Sequence, residues 1–338
     1  MTRRSADSAA PYVRDHRGHY EAIVGRWGHL AGHMTPLGPD PWRCLFSASG
    51  DSAAAFLEYR HVIVGWRSPV GPESERAEMF HALRQYARER RAGLLVLEVD
   101  GASLPAAAAA QLRPLWIGSE TFISLPTWSL EGSSRQKIRL ARNFAQRHGV
   151  TWREVSLSED TAMALAHLEE SWKAERKERR NDSFLRNDYR DLSPWRRYFV
   201  AELAGSFVAS ATCTQISQTS WYLQDIVRRP DAPRGALEGA MAIALDTLRD
   251  EGYLEASNGP MAFWRPGDRH AATHELGIVA RRAFSLFERQ FRFDGINQFR
   301  SKFVPDRVES MYAVRSSRLE GPRVISGLIH VLNNRLPD

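Results

Sequence analysis

Lysine is nearly missing from this chain. Of its 46 basic residues only four are lysines (Lys137, Lys173, Lys177 and Lys302), and the other 42 are arginines. Where arginine is the default, a retained lysine marks a place that wants a compact ammonium rather than a planar guanidinium. Cysteine is scarcer still. Cys44 and Cys213 stand far apart, form no C-x-x-C pair and have no metal-ligand spacing around them, so neither a disulfide framework nor a metal site is expected. The eleven histidines include no H-E-x-x-H, and there is no G-x-S-x-G nucleophile elbow. No apolar run approaches the roughly 20 residues that span a bilayer, and the arginine-bearing N-terminus lacks the apolar core of a signal peptide. The expectation is a cytoplasmic chain, at most peripheral to a membrane, with no transmembrane segment.

What is present describes a globular protein: 338 residues, 43% hydrophobic and 25% charged, long enough for two domains. The net charge of +6 favours an anionic partner. Apolar spacing and Pro/Gly punctuation divide the first half into strands at 43–48, 54–60 and 61–66, a helix over Glu73–Arg90 and a strand at Leu94–Val99. The second half repeats that order, with strands at Phe207–Thr214 and Thr219–Val227, a loop at 228–235, a helix at 236–251 and a strand from Tyr253. Alternating strands and helices with crossovers imply mixed α/β sheets. The domains are placed at 16–130 and 181–338, joined by charged helices over 131–180. In the joining segment, Ser133-Ser-Arg-Gln136 fits a capping box. The basic helix after it carries Lys137, Arg139 and Arg142, and is either a solvated face or a phosphate-backbone track.

The stretch Trp221–Ser257 concentrates the chemistry. Asp225 and Arg228 stand at a strand's exit, before a helix N-terminus opened by Gly235, where backbone N–H groups and the helix dipole suit a phosphate or a carbonyl oxygen. Arg234-Gly-Ala-Leu-Glu-Gly239 also admits a pyrophosphate-loop reading, which keeps an acyl-CoA N-acyltransferase open as an alternative.

Several ordered segments carry a family likeness: FLEYRHVIVGWRSPVGP (56–72), WSLEGSSRQKIRLARN (128–143), SWKAERKE (171–178), the Asp225-x-x-Arg228 loop with its helix, and FRFDGINQFRSKFVPDRVESMY (291–312). Over roughly residues 20–315 the chain resembles the soluble C-terminal catalytic region of the bacterial aminoacyl-phosphatidylglycerol synthases, the multiple peptide resistance factors. The resemblance implies a tandem GNAT-like (GCN5-related acyltransferase) fold, α/β or α+β, with two similar mixed-sheet domains. It implies transfer of an amino acid from aminoacyl-tRNA to an acceptor, with no cofactor beyond that co-substrate. By family position, Asp225 would hold the donor ammonium or take a proton from the nucleophile, Arg228 would contact phosphate, and Lys302 would hydrogen-bond the scissile carbonyl. Glu175, Asp294 and Trp221 become substrate-binding candidates, Trp221 by stacking on the CCA end. Lys137, Arg139 and Arg142 become tRNA-binding candidates.

NDSFLRND (181–188) stands where the lipid enzymes carry a small-residue run, and no membrane region accompanies the chain. The expected acceptor is therefore a small-molecule amine, hydroxylamine or hydroxyl, as in free-standing relatives such as the valanimycin-pathway seryl transferase. Phosphatidylglycerol is the alternative. The amphipathic segment RVISGLIHVLNNRL (323–336) is expected to pack on its own domain rather than on a membrane.

Overall fold

Small and β-branched residues alternate with turn signals through the first hundred residues, and each run becomes a strand in the computed structural model. The structure describes residues 17–38, 42–59, 61–175, 195–267 and 293–316. It divides into two compact units: unit 1 holds residues up to Trp116 together with those from Met311 onward, and unit 2 holds Ile117–Ser310. These divisions fall elsewhere than the expected ones at 130 and 181, and the charged helices over 131–175 belong to unit 2.

In unit 1, α1 (Arg17–Trp27) buries Tyr20, Ile23 and Val24. Strands β1 (Arg43–Phe46), β2 (Ala53–Tyr59) and β3 (Val62–Trp66) form an antiparallel meander. Helix α2 (Arg76–Glu89) then crosses over to β4 (Gly93–Asp100), which runs parallel to β3 with Ile63 beside Leu94. Met79, Phe80, Leu83, Tyr86 and Ala87 recur at helical spacing on α2 and meet Leu45, Phe56, Ile63, Leu94 and Val96 in one core. Gly65 has no side chain because a Cβ there would press on the Val96 methyls at 2.9 Å. A short α3 (Leu104–Ala109) follows.

Unit 2 takes most of β5 (Arg113–Ser124), then α4 (Gln136–Arg147), β6 (Thr151–Val155), α5 (Glu159–Glu175), β7 (Arg196–Leu203), β8 (Ser206–Gln215), β9 (Ser220–Arg228), α6 (Ala236–Asp250), β10 (Glu255–Ala262) and α7 (Phe293–Ser301). Its strand order is β5-β10-β9-β8-β7-β6. All neighbours are antiparallel except β9 and β10, which run parallel only from Ser220–Tyr222 against Glu255–Ser257.

The expected repeat is present: an antiparallel meander, a crossover helix and a parallel strand in each unit. Each sheet is then finished by an antiparallel strand that the repeat did not include. β5, from the first half of the chain, pairs with β10 in unit 2. β11 (Arg307–Arg315), from the end, places Met311 opposite Asp100 and Val314 opposite Val96 on β4 in unit 1. The two finishing strands are thus exchanged between the halves of the sequence.

The capping box is corrected. Helix α4 starts at Gln136 with Arg135 at its N-cap and no side-chain cap, because the chain turns through Gly132–Arg135 and Ser133 contributes only its carbonyl, to the Gln136 N–H. The segment 323–336 and the NDSFLRND run lie outside the described residues.

Candidate active site

Strand β9 carries the first half of the site, and a bulge decides which way it faces. Tyr222 stands opposite Thr214 and Leu223 opposite Cys213, but the next pair is Ile226 with Ala211, so Gln224 and Asp225 together oppose Thr212. Trp221, Leu223, Cys213, Ala211 and Phe199 all pack into the core under α6. Strict alternation would send Asp225 there too. The extra residue turns it to the other face, where Tyr198 and Val200 of β7 pack with Leu165 of α5. Arg196, two residues before Tyr198, lies on that face, and its Nη2 stands 3.8 Å from Asp225 Oδ2. Both side chains are buried. Thr214 holds the bulge by donating its hydroxyl to Gln224 Oε1 at 2.8 Å.

The second half of the site lies at the start of α6. Gly235 caps the helix at φ +96°, and a Cβ on it would meet the Ala141 carbonyl oxygen of α4 at 1.8 Å. Gly239, one turn on, has the Trp152 ring where a Cβ would be, and Trp152 Nε1 donates to the Ala236 carbonyl at 2.8 Å. Both glycines therefore serve close packing by α4 and β6. Glu238, between them, is buried and accepts a hydrogen bond from Lys302 Nζ at 2.9 Å. A carboxylate in the first turn repels a pyrophosphate, which argues against the acyl-CoA loop reading.

Lys302 follows directly on α7, and its backbone is held from several sides. Asn258 Nδ2 donates to the Arg300 carbonyl at 2.9 Å, Asn297 Nδ2 to the Ala262 carbonyl at 2.9 Å, and Arg300 Nη1 to the Pro260 carbonyl. Gly259, at φ +92°, leaves room for the Arg300 guanidinium. Phe303 is fully buried and stacks on Trp128. Arg135 reaches over Trp128 to the Phe303 and Val304 carbonyls at 3.1 and 3.3 Å and to Asp306 at 3.3 Å. The Lys302 ammonium touches Glu238 and the Phe299 ring, 5.1 Å from the ring centroid, and its side chain is 36% exposed. Of its three N–H groups, one is committed to Glu238.

The structure thus brings Lys302 to Glu238 and Asp225 to Arg196; it makes no contact between Lys302 and Asp225. Arg228 closes β9 in solvent. Glu175 is the last residue of α5, and its side chain lies outside the described residues. Asp294 is exposed in the first turn of α7. Trp221 is corrected: its ring is buried edge-on against Tyr253 in the α6 core, with no open face for a base to stack on. Among the tRNA candidates, Lys137 points into solvent. Arg139 is turned back onto the Leu130 and Gly132 carbonyls, and Arg142 leans on Asp246 at 3.7 Å and on the Trp152 ring. Sequence reasoning missed Arg196, Glu238 and the Asn258–Asn297 clamp. Glu238 had one available signal, a lone carboxylate in an otherwise apolar helix start.

The free thiols stay apart from this chemistry. Burial pushes Cys213 up, and pushes Cys44 up to about 12. Among the described residues no helix is long and apolar enough to cross a membrane.

Known proteins share this sequence pattern and this fold. The family described as "Phosphatidylglycerol lysyltransferase, C-terminal" matches residues 41–315, a span that includes Asp225, Arg228, Glu238 and Lys302. The phosphatidylglycerol lysyltransferase of Bacillus subtilis is 21% identical over 305 residues, covering 86% of this chain and 34% of the relative. That of Staphylococcus aureus is 21% identical over 267 residues, covering 76% and 31%. The chain spans about a third of the length of these relatives. Two solved structures share the fold. One is the C-terminal domain of a lysylphosphatidylglycerol synthetase from Agrobacterium fabrum, with TM-score 0.78, 20% identity and coverage of 94% of this chain and 96% of that one. The other is L-PGS from Bacillus licheniformis, with TM-score 0.79, 16% identity and coverage of 95% and 97%. By the extent of the match, the chain belongs to the phosphatidylglycerol lysyltransferase C-terminal family.

Proposed function

We propose that this chain is an aminoacyltransferase that moves an amino acid from aminoacyl-tRNA to the glycerol hydroxyl of phosphatidylglycerol. The observation that carries the reading is the family match over residues 41–315, together with relatives named as phosphatidylglycerol lysyltransferases. Those relatives favour the lipid over the small-molecule acceptor expected from the sequence.

The donor ester is already activated. What remains is to place a hydroxyl against the ester carbonyl, stabilise the oxyanion and let the ribose oxygen leave. Positioning of that kind supplies roughly 7–11 kcal/mol of a barrier. In this reading Lys302, oriented by Glu238, donates a hydrogen bond to the carbonyl oxygen as charge develops on it. Asp225 accepts the proton of the attacking hydroxyl. It lies on the α5 face and Lys302 beside Glu238 of α6, so in this reading the two meet only across substrate, where β9 parts from β10 beyond Tyr222 and Ser257. Lys137, exposed on α4, and Arg228, exposed at the end of β9, offer phosphate contacts to tRNA that position it without reading sequence.

The test incubates the purified protein with radiolabelled aminoacyl-tRNAs and phosphatidylglycerol vesicles. The expected product is an aminoacylated lipid whose formation is abolished by prior RNase treatment. Transfer from acetyl-CoA, with none from any aminoacyl-tRNA, would overturn the reading. Transfer only to water-soluble amines or hydroxyls would restore the small-molecule acceptor.

A further inference from the structure

We infer that Arg196 binds the anionic group of the acceptor, a phosphodiester, on the α5 face of unit 2. The inference rests on the proposed function for the identity of that anion; the binding site itself rests on the geometry.

The Arg196 side chain is only 4% exposed, yet Nε and Nη1 are buried without a hydrogen-bond partner. Its ion pair is loose: Nη2 to Asp225 Oδ2 is 3.8 Å, beyond hydrogen-bonding reach. A buried guanidinium with unanswered N–H groups is strongly disfavoured, because desolvation of a charge is recovered only when its donors are satisfied. A guanidinium kept in that state beside a candidate catalytic carboxylate calls for an anionic partner. The missing partner must accept hydrogen bonds from a planar fork and carry negative charge, which describes a phosphate or a carboxylate.

The two substrates of the proposed reaction narrow the choice. The α-carboxylate of the donor amino acid is taken up in the ester. The phosphates of tRNA belong to a bulky, solvated backbone that a buried arginine does not reach. The acceptor headgroup carries one phosphodiester, joined by a short glycerol chain to the hydroxyl that reacts. With the phosphate on Arg196, that chain is short enough to bring the hydroxyl to Asp225. The phosphate also competes with Asp225 for the guanidinium, so acceptor binding weakens the hold of Arg196 on the carboxylate.

Arg196 is one of a doublet, but Arg197 is committed elsewhere, to Glu154 and Glu251 at the strand edge. Only Arg196 has donors to offer.

The test measures binding rather than turnover. Glycerophosphoglycerol, the deacylated headgroup, is titrated into the full chain by calorimetry, with glycerol and inorganic phosphate as the two comparison probes. Binding of the headgroup but not of glycerol is expected. Arg196→Lys keeps the charge but loses the fork, and is expected to weaken headgroup binding at least tenfold. Asp225→Asn removes the competing carboxylate and is expected to tighten it several-fold. A merely structural ion pair gives no such opposite signs. In the transfer assay, Arg196→Lys is expected to raise KM for the lipid and leave KM for aminoacyl-tRNA unchanged.

The inference is overturned if wild type fails to bind the headgroup, if it binds inorganic phosphate but not the headgroup, or if Arg196→Lys binds as wild type does. Asp225→Asn supplies an independent arm should the lysine variant fold poorly; weaker or unchanged binding in that variant also overturns it. Headgroup binding that depends on Arg196 in a protein that transfers from no aminoacyl-tRNA sinks the proposed function and leaves this site standing. Transfer to lipid with an unchanged lipid KM in Arg196→Lys does the reverse.

Discussion

Lys302 is fixed by one short ion pair to a buried glutamate, while its side chain is partly exposed. That combination suits a hydrogen-bond donor that must be in place before charge develops. Removing one oxyanion donor typically lowers turnover by about 10²–10³. Lys302→Ala is therefore expected to lower kcat by that factor with little change in thermal stability. Lys302→Arg is not expected to restore it, because a planar guanidinium presents its donors in a fixed fork and not from the compact point of an ammonium. Single-turnover transfer assays and melting curves check both statements. Lysine rarity marks Lys302 in the sequence and family position supplies its proposed role, while its contact with Glu238 was not legible. Arg196 was not legible, being one arginine among 42, and neither was its nearness to Asp225. That nearness depends on a bulge whose position is set by the partner strand, so alternation read along β9 alone assigns Asp225 to the wrong face.

A second residue-scale consequence concerns acid. His33 is buried in unit 1, where its Nε2 meets the Ser68 carbonyl at 3.1 Å and its Nδ1 accepts from the His29 N–H at 3.5 Å. Burial, followed by the nearby His29 and Arg67, holds its pKa well below the ordinary 6.5; the Ser68 hydrogen bond and Asp100 pull the other way. The unfolded chain takes up a proton near pH 6.5 that the folded one refuses, so the His33 contribution is complete above that pH and is lost as pH falls below it. The expected slope is about 1.4 kcal/mol per pH unit between 6.5 and the folded value. Denaturant titrations from pH 7.5 to 5.5 should show it, and His33→Gln should flatten it.

At the scale of elements, α4, α6 and the strand between β5 and α5 lock together through glycine. Gly235→Ala would drive a methyl into the Ala141 carbonyl and hold alanine at a left-handed φ. Overpacking and the left-handed conformation each cost about 1–2 kcal/mol, so a loss of about 3 kcal/mol is expected, read as a lower denaturation midpoint. The helix over 236–250 and the strand before it were legible because their apolar periods are clean. The close approach that requires Gly235 was not, since it is made by α4, almost a hundred residues earlier. The same applies to α4 itself. Its basic residues read alike, as a solvated face or a phosphate track, but Arg139 and Arg142 are turned inward by carbonyls and by Asp246, and only tertiary packing tells them from Lys137.

At the scale of the whole molecule, the topological repeat was visible in the order of elements, and the unit boundaries were not. They depend on which strand finishes each sheet. β5 reads poorly because Pro114, Gly118 and Glu120 interrupt its apolar pattern; Gly118 sits where a Cβ would strike the Met261 carbonyl at 2.4 Å. β11 reads poorly because three of its first four residues are charged or polar. Ending the chain at Ser310 should therefore damage unit 1, which loses Met311 and Val314 from its sheet, and spare unit 2. Hydrogen exchange is expected to show protection lost in β4 and α2 and kept in β7, β8 and β9. Equal loss in both units would contradict the division.

The exchange of finishing strands also sets a clock on synthesis. When β4 leaves the ribosome its outer edge has no partner, and the strand that covers it begins about two hundred residues later. At roughly 5–20 residues per second, that edge stays open for about 10–40 s. An unpaired apolar edge is a template for pairing with other chains. Nascent chains of this protein are thus exposed to aggregation over a window fixed by topology, and slower translation beyond Asp100 lengthens it.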